Sequence, residues 1–160
     1  AIVDAGIPVL GHIGIIKQKI VRSGTFRIQG RTADSAQQIL ADVVAFTNAG
    51  VFGMILECIP TRLGEIIAQS INVPTIGIGA GPYVDGQALV TQDMLGLYKE
   101  MSPRFLKVYL DLNQIIVDAV TQYRTEVEQG QFPGPEHSYQ ISEEELDKLL
   151  VQLQTTPLRS

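Results

Sequence analysis

Gly53-Met54-Ile55-Leu56-Glu57-Cys58-Ile59-Pro60, running into Thr61 to Ile71, is the stretch on which the fold turns. Its first residues are mostly apolar and read as a short buried strand that ends on a carboxylate. Leu63, Ile66, Ile67 and Ile71 then recur at helical spacing, and Pro60 suits the first turn of that helix. A strand passing directly into a helix is the unit of parallel α/β folds, in which ligands bind at the carboxyl ends of the strands. Glu57 stands at such an end and is the candidate base. On position alone, a cap for the next helix or a partner for an Arg stands level with that reading.

Upstream, Thr32 is placed to cap a helix whose stripe is Ala36, Ile39, Leu40, Val43, Val44 and Thr47, and Asn48-Ala49-Gly50 stops it. Ala1 to Gly6 read as the end of a helix, and Ile7-Pro8-Val9-Leu10 as a strand. Gly11-His12-Ile13-Gly14 follows, with glycines that permit a tight turn or a close approach. His12 is a candidate hydrogen-bond donor or proton carrier there, although a loop histidine is more often structural. Between Ile15 and Arg31 runs a connection carrying Lys17, Lys19, Arg22, Arg27 and Arg31. It reads either as a solvated loop or as an anion-facing lid.

Downstream, Val73-Pro74-Thr75-Ile76 leads into Gly77-Ile78-Gly79-Ala80-Gly81. This spacing is not the dinucleotide fingerprint, because no suitable helix or acidic residue follows; Gly77, Gly79 and Gly81 read as a close-packed strand end facing a ligand. Asp85-Gly86 marks a turn, with a supporting role in the site as the lesser reading of Asp85, and Gln87 to Val90 begin a further short element. Ser102-Pro103 predicts a helix start, with an apolar stripe from Phe105 through Val108, Tyr109, Leu112 and Tyr123 to Val127, divisible into two helices near Asn113. Ligation of a metal by Glu136 and His137 with Glu57 or His12 is the lesser reading, since neither spacing nor cysteine partners support it. Ser142 and Glu145 form a capping box for a terminal helix on Leu146, Leu149, Leu150 and Leu153.

The chain of 160 residues is 45% hydrophobic and 18% charged, which fits a soluble globular domain rather than a disordered one. A net charge of −5 gives no electrostatic footprint for nucleic acid, and no apolar run is long enough to span a membrane. With one cysteine, Cys58, no internal disulfide forms; it reads as a small packing residue next to the site, with a reactive thiol as the lesser reading, in a reducing, cytoplasmic setting.

Strands led by Ile7, Gly53 and Pro74, each with its loop and helix, and a fourth near Ala88, imply an α/β fold with a parallel sheet. Glycines, His12 and Glu57 at the strand ends match the active face of a (β/α)8 barrel. Such barrels run to about 250 residues, so the chain supplies roughly half of one.

The motifs Ile7 to Gly14, Gln29-Gly30-Arg31, Leu56-Glu57-Cys58-Ile59-Pro60 and Pro74 to Gly81 resemble the ketopantoate hydroxymethyltransferase family. Asp85 to Val90, Asp93 to Leu97, and Phe132-Pro133-Gly134 with Glu136-His137-Ser138 extend the resemblance in the same order to about Tyr139. It implies the carboxyl-terminal half of a (β/α)8 barrel over residues 1–139 and a helical tail over 140–160. It further implies transfer of a hydroxymethyl group from 5,10-methylenetetrahydrofolate to 3-methyl-2-oxobutanoate, aided by Mg2+ or another divalent metal. Glu57 would be the proton acceptor, His12 a supporting residue, and Gly77 to Gly81 the lining of the mouth. The family's metal-binding acids and substrate lysine lie in the amino-terminal half, so the resemblance places no metal ligand here. It makes that half a required partner and implies a homo-oligomer.

The chain departs from the family pattern at Ile15-Ile16-Lys17-Gln18, where Leu-Thr-Pro-Gln is usual. Ser23-Gly24-Thr25-Phe26 likewise replaces an aromatic-Gly-Gly-Tyr pattern. Two other readings stand beside the transferase. One is a related metal-dependent barrel enzyme acting on 2-oxo acids as a carbon–carbon lyase or mutase. The other is a non-catalytic half-barrel that self-associates through unpaired strand edges.

Overall fold

The computed structural model describes residues 1–15, 28–98 and 103–155. Their core is a parallel sheet of four strands in sequential order: β1 Leu10–Gly14, β2 Gly53–Glu57, β3 Thr75–Ile78 and β4 Gly86–Gln87. Helix α1 (Ala33–Asn48) joins β1 to β2, and α2 (Thr61–Ser70) joins β2 to β3. The α/β class and parallel sheet expected from alternating strands and helices are present.

Register decides which residues face the helices. Gly11, Met54 and Thr75 form one cross-strand row, and Ile13, Leu56 and Gly77 another on the same face. Met54, Leu56 and Thr75 are fully buried there, and Met54 and Leu56 pack with Ile39 and Val43 of α1 and Leu63 and Ile67 of α2. Burying side chains of this size contributes about 1.5–3 kcal/mol each, so this face dominates the stability of the sheet. The opposite face carries the rows His12–Ile55–Ile76 and Gly14–Glu57–Ile78, whose side chains are half-buried.

Thr32 caps α1 as its sequence position predicts. Its hydroxyl accepts from Ser35 N–H at 3.2 Å while Ser35 Oγ accepts from Thr32 N–H at 3.1 Å. The predicted stripes are broader than the buried ones, since Val44 and Ile66 lie exposed at the margins of their helices. Pro60 is the N-cap of α2 rather than a first-turn residue, and its carbonyl accepts from Leu63 and Gly64 N–H.

Three elements differ from expectation. The first strand begins at Leu10, not Ile7, and runs through the glycines to Gly14, so His12 is a strand residue and not a loop residue. No helix separates β3 from β4; the chain turns at Gly79 to Gly81 and returns along the sheet to Gly86. Residues 103–111 are not helical; the short helix α3 (Thr91–Met94) precedes them, and Tyr109 and Leu112 donate to the carbonyls of Met94 and Leu95. The expected lid residues Lys17, Lys19, Arg22 and Arg27, and the helix start at Ser102, lie outside the described residues.

The chain divides into two compact units, Ala1–Leu112 and Asn113–Ser160. The second is built on helices α4 (Leu112–Glu128) and α5 (Glu143–Thr155). Between the helices, Phe132 stacks edge-on against Tyr123 with ring centroids 5.5 Å apart. Ser142 caps α5 by accepting from Glu145 N–H at 3.4 Å, and the Glu145 carboxylate accepts from Lys148.

Candidate active site

Glu57 is the last residue of β2, and His12 lies on the neighbouring strand, one row lower on the same face. That diagonal brings His12 Nε2 to 2.9 Å from Glu57 Oε2. Side-chain exposures of 36% for His12 and 24% for Glu57 leave both within reach of a ligand while restricting their freedom. Glycine at position 14 leaves no side chain beside Glu57 in its row, so the carboxylate can lean towards the imidazole. A carboxylate in its ionised form only accepts hydrogen bonds, so the contact is made in that form by the tautomer with the proton on Nε2. The pair combines a carboxylate with a ring that orients it, and a carboxylate so positioned can act as a general base.

The backbone beyond the carboxylate is unusual. Cys58 has φ +53°, the one positive φ outside glycine among the described residues, in a region that costs such a residue about 1–3 kcal/mol. Its thiol is buried, and that burial, followed by the neighbouring Glu57 charge, pushes its pKa up to about 11. It stays protonated at neutral pH and is a poor nucleophile, in keeping with a packing role.

The three glycines expected to line the mouth are placed differently from one another. Gly77 lies on the helix-covered face, where a Cβ would meet Val84 and the Gln87 side chain. Gly79 and Gly81 border a cleft of about 700 Å3 whose other walls include Gln87, Phe105, Lys107 and Tyr109. The Phe105 ring packs over Gly79, 2.7 Å from where a Cβ would stand, and Lys107 Nζ lies 4.9 Å from the centre of the Tyr109 ring. Sequence periodicity assigned Phe105 and Tyr109 to a helix and so missed them as walls of this cleft. A second cavity of about 430 Å3 lies between β1 and α1, bordered by His12, Gly14, Gln38 and Asp42. Glu57 borders neither of these two cavities.

Asp85 anchors the turn. Its carboxylate accepts from the Thr75 N–H and hydroxyl, both at 2.7 Å, and Thr75 Oγ1 accepts in return from Asp85 N–H at 3.2 Å. The Thr75 N–H, then its hydroxyl, hold the Asp85 carboxyl below its ordinary value. This knot ties the start of β3 to the start of β4. In the second unit, His137 Nδ1 accepts from Gly134 N–H at 3.2 Å, with Glu136 at 3.5 Å and the Phe132 ring at 5.1 Å, as a turn-stapling residue. Among the described residues, no group of three or more His, Cys, Asp or Glu side chains is arranged to hold a metal ion, and no helix is long and apolar enough to cross a membrane.

Comparison with known proteins bears on what this face does. The family model described as ketopantoate hydroxymethyltransferase matches residues 1–135. A protein of Heliobacterium modesticaldum named 3-methyl-2-oxobutanoate hydroxymethyltransferase is 49% identical, over 90% of this chain and 52% of its own length. Proteins of the same name from Syntrophomonas wolfei and Enterococcus faecalis are 46% and 47% identical, each over 93% of this chain and 54% of their own length. The chain thus spans about half the length of the curated relatives it matches.

Proposed function

The chain belongs to the ketopantoate hydroxymethyltransferase family, and from that premise we propose that it carries the proton-transfer face of an enzyme making ketopantoate. The substrates are 3-methyl-2-oxobutanoate and 5,10-methylenetetrahydrofolate. The sheet is read as the carboxyl-terminal half of a (β/α)8 barrel, its four parallel strands in sequential order and its helices on one face. The half-buried row containing Glu57 would then face the barrel interior.

The observation that carries this reading is the His12–Glu57 pair, 2.9 Å apart on one face of adjacent parallel strands, with Glu57 at the carboxyl end of its strand. Glu57 accepts the proton from C3 of the 2-oxo acid, and the electron pair left behind spreads onto the ketone oxygen. That carbon then bonds to the methylene carbon of the folate, whose two bonds to folate nitrogens break; water supplies the hydroxyl, and tetrahydrofolate leaves with the proton taken from C3 and the second proton of the water. His12 holds the carboxylate on the line of the departing proton. A divalent metal such as Mg2+ would polarise the ketone when bound. Its ligands are assigned to the other half of the barrel, as the family resemblance implies, and no step is drawn through it.

The test is reconstitution. The chain is co-expressed with the portion of the Heliobacterium modesticaldum protein that its match leaves uncovered, then supplied with Mg2+, the folate and the 2-oxo acid. Ketopantoate should form, and Glu57→Gln should slow exchange of the C3 proton with solvent by about 10²–10⁴-fold. Exchange at the unsubstituted rate in Glu57→Gln would remove Glu57 from the reaction.

A further inference from the structure

Three backbone hydrogen bonds converge on the two peptide units flanking Cys58, the first of which joins it to Glu57. Ile15 N–H donates to the Glu57 carbonyl at 3.0 Å, Cys58 N–H to the Ile78 carbonyl at 2.8 Å, and Gln29 N–H to the Cys58 carbonyl at 3.3 Å. The first needs glycine at position 14, because a Cβ there would stand 1.9 Å from the Glu57 oxygen and Gly14 has φ +100°. The second continues the β2–β3 ladder, and the third has the Cys58 carbonyl leave the line of the strand, where the backbone turns left-handed at φ +53°. Strain retained at a non-glycine residue beside a functional group points to a function for the conformation. Glycine would relieve it but would also release the peptide to sample both signs of φ. A buried side chain at 58 instead pins the unit from the core side.

We propose that Cys58 is a positioning residue for Glu57, its left-handed backbone and buried side chain together holding the carboxylate against His12, with Gly14 as the matching element on β1. The thiol as such takes no part. The proposal rests on Glu57 being the base, and the test separates the two.

Full-length chain carrying His137→Gln, which leaves His12 as its one histidine, is compared with its Cys58→Ala, Cys58→Val and Cys58→Gly derivatives. Two readouts are used: the 15N shifts of the His12 ring, which report the nitrogen bearing the proton, and C3-proton exchange in the reconstituted enzyme. Cys58→Ala should keep the Nε2–H signal and an exchange rate within about twofold, since it keeps the Cβ and removes only sulfur. Cys58→Val, whose branched side chain disfavours positive φ, should lose that signal and lower kcat about tenfold or more at nearly constant KM. If Cys58→Val does not fold, Cys58→Gly decides, with a mixed-tautomer signal and a kcat lowered about threefold or more.

Unaltered ring signals and kcat in both Cys58→Gly and any folded Cys58→Val would overturn the proposal. So would a Cys58→Ala loss equal to that of Cys58→Val, which would make sulfur the agent. If the unsubstituted protein shows no proton exchange, the base reading fails, and the ring signals still decide whether Cys58 positions Glu57.

Discussion

Substituting Gly64 by Ala tests how tightly α2 is seated on the turn that closes β3. In the interior of an exposed helix this change stabilises by up to about 1 kcal/mol. Gly64 is buried, and a Cβ there would stand 2.6 Å from the carbonyl oxygen of Ala80, with 3.6 Å to the Ala80 Cβ. Ordinary contact begins near 3.4 Å, so helix and turn must part by roughly 0.8 Å. Ala80 has little room to yield, being fully buried between Gly79 and Gly81, both at positive φ. Overpacking of this kind costs about 1–3 kcal/mol, which outweighs the gain in propensity. The net expectation is a loss of about 1–2 kcal/mol, or roughly 3–6 °C in Tm for a chain of this size. Thermal and urea melts of the full-length chain measure it, with Gln69→Ala on the exposed side of the same helix as the propensity control. A Gly64→Ala protein as stable as its parent, or more so, would show that the turn yields and that the contact does not fix the β3 end.

The remaining expectations concern charge, cap and pair. Because the Asp85 pKa is lowered on folding, its contribution is present above the ordinary value of 3.8 and is lost as pH falls below it; Asp85→Asn should flatten that acid limb in pH-dependent urea melts, and an unchanged limb would dismiss the Thr75 knot as its source. The Cys58 thiol, raised from 9.0 to about 11, has the opposite sign, so stability should decline as pH rises from 9 towards 11 and Cys58→Ala should remove that decline. The same thiol should react with a disulfide reagent at neutral pH only after denaturation, and rapid labelling of the native chain would contradict its burial. Thr32→Ala should cost about 1 kcal/mol in the same melts by removing the α1 cap, and no change would mean that the Thr32–Ser35 exchange contributes nothing. His12→Ala should slow C3-proton exchange in the reconstituted enzyme by about ten- to a hundredfold, and a full rate would strip His12 of its supporting role.

Much of the sheet was legible because its signals are local. The apolar run before Glu57, the Thr32 cap and the stripes of α1 and α2 are each decided within one or two turns of chain. The first strand was misplaced because glycine normally argues against a strand, whereas here tertiary contact selects it: the Gly11 position faces the Met54 side chain, and Gly14 admits the Glu57 carbonyl. Residues 103–111 carry a helical spacing of apolar side chains and yet are held in non-helical form by hydrogen bonds to Met94 and Leu95. Periodicity reports which residues want burial, and it does not report that another segment's carbonyls have taken the donors.

The site itself was legible in its parts and not in its assembly. His12 and Glu57 each occupied a suspicious position, but 45 residues separate them, and only the parallel register Gly14 opposite Glu57 puts them on one diagonal. A slip of one residue in that pairing would turn His12 into the helix-covered core and break the pair. What prevents the slip is the other face, where Ile13 and Leu56 share one buried row, so burial on one side of the sheet fixes the register that brings His12 to Glu57 on the other. That division of labour explains why the carboxylate can remain half-exposed without being loose. The core sets where its strand lies, and Gly14 and Cys58 set where its peptide points.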